Sequence, residues 1–328
     1  MRRLLLCVSL SLLLCACAKR EALPTAEVLQ RTAAASQQLQ SSRFTVKGEG
    51  TGASYDANVS LEGILQDGGA QLQFTLQTTG EVAAEKQHTF AADVDAVIAI
   101  GEDAYVRIRS LNISPPHPKL DPRLFTLFLQ RWWKIPLQRT PFPPTAITPD
   151  PRFLYAQSQV ITVTEDRGIK RVEGKDTYVY DVTLDREKLV AFLEQVAEER
   201  GEPFNREETI ASLAPYTVDG TLWIDADTFF IQRLTWTIAS EGVGDPFQGT
   251  VDAVFREHNI APRIEIPSDA QLLSPALLNG VPGAAPYDET FNQGFPLPGG
   301  NAYEDGSSTD LFDALQGLKP PNPSLPPQ

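Results

Sequence analysis

The stretch Gln71-Leu72-Gln73-Phe74-Thr75-Leu76-Gln77 decides the fold. Leu72, Phe74 and Leu76 fall at every second position, and Gln and Thr fill the positions between. In a strand, successive side chains point to opposite faces, so this heptapeptide builds one dry face and one wet face. The same period recurs along the chain. Val106 and Ile108 alternate with Arg107 and Arg109, and Tyr178, Tyr180, Val182 and Leu184 alternate with Val179, Asp181 and Thr183. Leu234, Trp236 and Ile238 alternate with Arg233, Thr235 and Thr237, and Val251, Ala253 and Phe255 with Asp252 and Arg256.

Turn-forming groups separate these runs: Asp67-Gly68-Gly69, Gly101-Glu102-Asp103, Asp166-Arg167-Gly168, Glu173-Gly174-Lys175 and Asp225-Ala226-Asp227-Thr228. Each reads as a hairpin connection. The pattern predicts roughly eleven to thirteen strands, mostly antiparallel because the connections are short.

Helical spacing appears in a few places. Thr25 reads as an N-cap with Glu27 in the first turn, and Val28, Leu29, Thr32, Ala35, Ser36 and Leu39 predict a helix over residues 25–41. Asp185 caps a helix over 186–200 that Gly201 stops, and a second short helix runs from Asn205 towards Ala214. Leu124, Phe125, Leu127, Phe128 and Leu129 read as a short apolar helix leading through Trp132 and Trp133 into an edge strand. Past Pro267 the composition turns to Pro, Gly, Asn and Ser, which predicts a disordered tail over 268–328.

The N-terminus carries an address. Met1-Arg2-Arg3 precedes an apolar run and then Leu14-Cys15-Ala16-Cys17. A positive start, a short apolar run and a small residue before the cut describe a signal peptide over residues 1–16. The run is shorter than the ~20 residues a spanning helix needs. The last four residues match a bacterial lipobox, which predicts a lipid-modified Cys17, a tether over 17–24 and a location outside the cytoplasm on a bacterial membrane. Two or more acyl chains hold such a protein firmly, since each buried CH₂ contributes ~0.8 kcal/mol. All three cysteines, Cys7, Cys15 and Cys17, lie in this region. The mature domain therefore has no thiol for a disulfide, a metal or a nucleophile.

The 28 Lys and Arg face 42 Asp and Glu, a net charge of −14, and loss of Arg2 and Arg3 makes the mature chain more acidic still. This balance argues against nucleic acid, whose phosphates want a basic face. The three histidines, His88, His117 and His258, lack metal-site spacing and read as surface residues. No nucleophile elbow or phosphate loop occurs. Asp225-Ala226-Asp227-Thr228 lacks the Gly and Glu of a calcium loop. The reading is of a non-enzyme with no cofactor and no metal.

The helix carrying Val28, Leu29 and Thr32, followed by Leu39-Gln40-Ser41-Ser42-Arg43-Phe44-Thr45-Val46, resembles the opening of the LppX/LprAFG-type lipoproteins of the LolA/LolB-like superfamily. The stretches Tyr178 to Asp185, Gly220 to Asp225 and Val251 to Phe255 agree with it. The resemblance spans residues 25–267. It implies an α+β half-barrel, a strongly curved antiparallel sheet of about eleven strands with helices on its concave side, and a cavity for the acyl chains of lipids or lipid-modified ligands. The candidate cavity or mouth residues are Leu124, Phe125, Leu127, Phe128, Trp132, Trp133, Tyr178, Tyr180, Trp223 and Trp236. The expected function is lipid binding for transport or sensing. The alternative is an envelope module that grips a protein partner.

Overall fold

The computed structural model describes residues 22–83, 87–99, 103–115, 126, 128–136, 160–200, 203–240 and 246–273. The leader, Cys17 and the chain beyond Leu273 lie outside the described residues, as do Leu124, Phe125 and Leu127.

Among the described residues twelve strands form one sheet. In chain order they are β1 (Ser41–Gly52), β2 (Tyr55–Gln66), β3 (Gln71–Ala83), β4 (Gln87–Ala99), β5 (Asp103–Ser114), β6 (Trp133–Pro136), β7 (Ile161–Val172), β8 (Lys175–Leu184), β9 (Tyr216–Asp225), β10 (Ile231–Ser240), β11 (Phe247–Arg256) and β12 (Gln271–Leu272). Their spatial order is β12-β6-β5-β4-β3-β2-β1-β11-β10-β9-β8-β7. Two meanders, β1 to β6 and β7 to β11, are joined by antiparallel pairing of β1 with β11. The sheet is mixed, because β12 runs parallel to β6.

This corrects the expected half-barrel. The sheet is open, with β12 and β7 as its two edges, and it is neither closed into a barrel nor strongly curled. Closure needs consistent strand tilt and stagger around a ring. Period-two patterning encodes which face is dry and carries no such information. A sheet without strong curl also offers its helices no bowl to plug. Helix α1 (Thr25–Gln37) lies on the apolar face over β7 to β10. Its Val28 is fully buried in the main core, and Leu29, Thr32, Ala33 and Ser36 face Ile161, Val182, Leu222 and Leu234. Helices α2 (Arg186–Arg200) and α3 (Arg206–Leu213) build a separate cluster from Val160, Leu189, Val190, Leu193 and Leu213.

Local signals explain most boundaries. Asp185 Oδ1 accepts from the Lys188 amide at 3.1 Å, and Asn205 Oδ1 accepts from the Glu208 amide at 3.2 Å, so both helices start on side-chain caps. Helix α1 departs from expectation twice. Pro24, not Thr25, occupies its N-cap position, and it ends at Gln37. Thr25 instead donates its hydroxyl to Asp166 Oδ2 at 2.9 Å. The Glu173-Gly174 turn has positive φ at both residues (48° and 83°), as a two-residue hairpin loop requires. Asp166-Arg167-Gly168 is not a turn. It is an irregularity inside β7, where the register with β8 shifts between Asp166 and Ile169 and Gly168 takes φ 71°.

Candidate functional site

Register across the sheet lines up the alternating apolar residues into rows. One row runs from Tyr180 on β8 through Leu222 on β9, Leu234 on β10 and Ala253 on β11 to Val46 on β1. It continues through Leu61, Leu76 and Val94 to Ile108 on β5. The next row towards one end of the strands, which includes Phe255, Phe44, Phe74 and Ala96, is buried. The next row towards the other end holds Gly220, Trp236, Val251, Gly48 and Val59. Cover thins out in that row, where Val59 is 40% exposed and Trp236 only partly buried, and along the β1 to β3 part of the first row, where Val46, Leu61 and Leu76 are only partly buried.

Small residues flatten this end of the face. A Cβ on Gly220 would strike the Trp236 ring, and one on Gly80 would lie 2.6 Å from Phe90. Phe247 and Tyr55 crowd Gly249 and Gly52 in the same way. The aromatic rings lie over glycines and leave a shallow, apolar floor.

The buried side of α1 is weak for a core helix. Val28 is its only large fully buried residue, and Thr32 and Ser36 put hydroxyls into the interface at 3% and 4% exposure. Thr32 satisfies its hydroxyl on the Val28 carbonyl at 2.9 Å. Between α1 and the sheet is an apolar cleft of about 20 Å³, lined by Leu29, Ala33, Leu222, Leu234 and Trp236. That holds about one water molecule. An acyl chain therefore cannot enter without displacing α1, but it can lie on the rows α1 leaves open. Larger hollows of about 350 Å³ include one on the polar face lined by Arg43, Ser60, Glu62, Gln73, Thr75 and Arg109, which does not suit an apolar guest.

The expected site residues divide. Tyr178 and Tyr180 are fully buried in the main core, with parallel rings 6.3 Å apart. Trp236 faces the cleft, and Trp133 is buried, its indole donating to the Phe128 carbonyl at 3.0 Å. Phe128 packs 5.4 Å from the Trp133 ring. These five share the apolar side. Trp132 and Trp223 do not join them. Each takes an arginine over its ring, Arg107 at 4.7 Å and Arg233 at 5.1 Å. Those arginines belong to the polar face, where Arg107 pairs with Asp95 and Arg233 with Asp252. The row members Val46, Leu61, Val94 and Ile108 were not singled out from sequence. Of these only Ile108 stands in an alternating run legible from sequence, and register brings the four into line.

Tyr178 and Tyr180 differ at their hydroxyls. The Tyr178 oxygen accepts from the Leu23 amide at 3.4 Å. The Tyr180 hydroxyl is buried and has no hydrogen-bond partner among the described residues. Burial, assisted by the nearby Asp166 charge, pushes it up to about 12, and the Thr25 side chain is close enough to oppose that shift.

Among the described residues no group of three or more His, Cys, Asp or Glu is placed to hold a metal ion, and no helix is long and apolar enough to cross a membrane. Asp225 closes its turn by accepting from the Asp227 and Thr228 amides, both at 2.9 Å, and from Gln232 at 2.7 Å. His258, expected at the surface, is half-buried, stacked 4.8 Å from Phe230 and bonded to the Ile231 carbonyl at 3.1 Å.

No family model and no curated protein matches the chain. Among solved structures it is similar to the lipoprotein LppX of Mycobacterium tuberculosis, with a TM-score of 0.33 and 12% identity over 74% of this chain and 100% of that one. It is similar to LprF of Mycobacterium bovis, with a TM-score of 0.39 and 16% identity over 77% and 100%. It is also similar to a DUF1329 family protein of Desulfovibrio piger, with a TM-score of 0.20 and 9% identity over 73% and 95%. These similarities are weak and lie at the level of the fold.

Proposed function

We propose that this chain is an extracytoplasmic lipoprotein, anchored through acyl chains on Cys17, that holds acyl chains of lipids or lipid-modified ligands against the open part of its apolar sheet face. The leader motif and the resemblance to LppX/LprAFG-type lipoproteins supply the address. The carrying observation is the row Val46-Leu61-Leu76, which continues a buried core row into partial exposure where α1 no longer covers it. A soluble domain gains ~25 cal/mol for each Å² of such surface removed from water, and an acyl chain supplies the missing contact without any covalent step. Carriage or sensing of the ligand follows from reversible burial.

The test compares lipid retained by gently purified mature protein, measured by native mass spectrometry. Leu61→Asp places a charge in the row and lowers retained lipid at least ~5-fold, since an unpaired charge against acyl chain is costly. Gln77→Asp, on the exposed polar face, leaves it unchanged. Equal retention by wild type and Leu61→Asp, or none by either, overturns the reading.

A further inference from the structure

We propose that this site selects by chain length: one extended acyl chain lies across the strands, along the row from Val46 to Leu129, and roughly 16–20 carbons fill it. The inference rests on the acyl-binding reading above and deepens it by naming the chain. Cross-strand partners carry the row from Val46 to Leu61, Leu76, Val94 and Ile108. Beyond Ile108 the sheet gains one more position, because Leu129 bridges to it and the Gln130 amide donates to the Ile108 carbonyl at 2.8 Å. Among the described residues nothing pairs beyond Leu129. All six side chains are branched and apolar, and all are partly buried. At its other end the row passes under cover, since Ala253 on β11 and Leu234 on β10 are each 7% exposed.

The direction follows from what each path offers. Along β1 beyond Val46 the positions on this face are Gly48, Gly50 and Gly52. A chain laid that way exchanges branched side chains for bare backbone, and inward it meets the buried Phe44. Laid across the strands, it touches six apolar side chains in succession. The gain scales with apolar area removed from water, so the cross-strand path wins. The outward neighbours Gly48, Val59, Thr78, Ala92 and Leu111 and their inward counterparts are all uncharged, which suits neutral hydrocarbon. Strands lie ~4.8 Å apart, so Val46 to Ile108 spans about 19 Å and Val46 to Leu129 about 24 Å. A C–C bond of ~1.52 Å at a near-tetrahedral angle advances an extended chain ~1.25 Å per carbon. Those spans match about 16 and about 20 carbons, and each strand position is worth about four.

The experiment displaces cis-parinaric acid from the mature protein with saturated fatty acids of even length from about 8 to about 24 carbons, each at free monomer concentration. In wild type, affinity rises ~2–4-fold per added CH₂, the upper figure being full burial, and stops rising between about 16 and about 20 carbons. A charge placed in the row shortens it. Leu129→Asp, at the edge of the sheet, moves the plateau down by about four carbons, and Ile108→Asp moves it down by about eight. The graded shift separates loss of length from general loss of affinity, and Leu129→Asp carries the test alone if Ile108→Asp fails to fold. Affinity that climbs undiminished to 24 carbons, a wild-type plateau outside the stated range, or a plateau that Leu129→Asp leaves in place overturns this proposal and leaves acyl binding standing. A wild type that binds none of the chains, whether it stays single or pairs with a second copy, overturns both.

Discussion

At Asp225 three donors meet one carboxylate, and the consequences can be measured. Burial pushes the carboxyl up, but the Thr228 and Asp227 amides, with Lys175 beyond them, outweigh it and hold it below the usual range. A depressed folded value means that its contribution is complete above the unfolded value near ~3.9 and drains away as pH falls through the folded one. Asp225→Ala orphans two amides and costs about 2–4 kcal/mol at pH 7. It also flattens the acid limb of the stability curve, which chemical denaturation at a series of pH values reads directly. His258 adds an earlier acid limb. Burial lowers its imidazole, with the Ile231 carbonyl opposing, so the unfolded chain takes up its proton first and stability declines as pH drops below ~6.5. His258→Gln removes that decline between pH 7 and 5. Neither effect was readable from sequence. Asp225 was visible as a turn residue, but its burial and His258's depend on contacts between distant strands. On the polar face Arg43 sits directly opposite Arg256, an arrangement that alone would repel. Glu257 and Glu173 each take one of the two.

Elements divide into those whose period settles them and those that context remakes. The strands were legible because a half-buried strand must alternate. Gly63 shows how tight their pairing is. A Cβ there would collide with the backbone carbonyl of Gln73 and lie 2.7 Å from the Phe44 ring. Gly63→Ala should therefore lower the melting temperature by roughly 5–15 °C, as a loss of a few kcal/mol does in a domain of this size. Gly168→Ala tests the bulge in β7. At φ 71° an alanine is strained by about 1 kcal/mol, yet no atom lies within 4 Å, so a small drop in stability with no change in ligand retention is expected. Asp-Arg-Gly has turn chemistry, so the sequence alone predicts a turn there. A bulge uses the same residues, and only the continuation of pairing to Val172 tells them apart. Trp132 and Trp223 teach a related lesson. Their size suggested a binding floor, whereas arginines cover them on the wet face. Trp223 alternates with Leu222 and Ile224, so its side was legible; its arginine was not.

At the scale of the whole molecule, the dry face is a plain consequence of composition, but the curl of the sheet is not. Curl depends on twist and stagger summed over twelve strands, which no local window records. An open sheet puts the candidate site on a surface instead of inside a bowl, and the ligand must be held by area more than by enclosure. The anchor is tested separately. Cys17→Ala should move the protein from the detergent phase to the aqueous phase in a cloud-point partition, and continued detergent partitioning would remove Cys17 as the attachment point.

The seam between β1 and β11 has a further consequence, for the order in which the molecule assembles. Each meander can zip from its own hairpins, whose partners are close in the chain. The seam joins Arg43 to Arg256, so it must wait until nearly the whole domain has been synthesised. Contacts of such long separation fold slowly, and an unpaired twelve-residue edge is a template for other chains in the interval. The newborn protein therefore spends its riskiest moments as two half-sheets in search of one another, and its yield should fall with concentration on refolding far more steeply than that of either meander's hairpins.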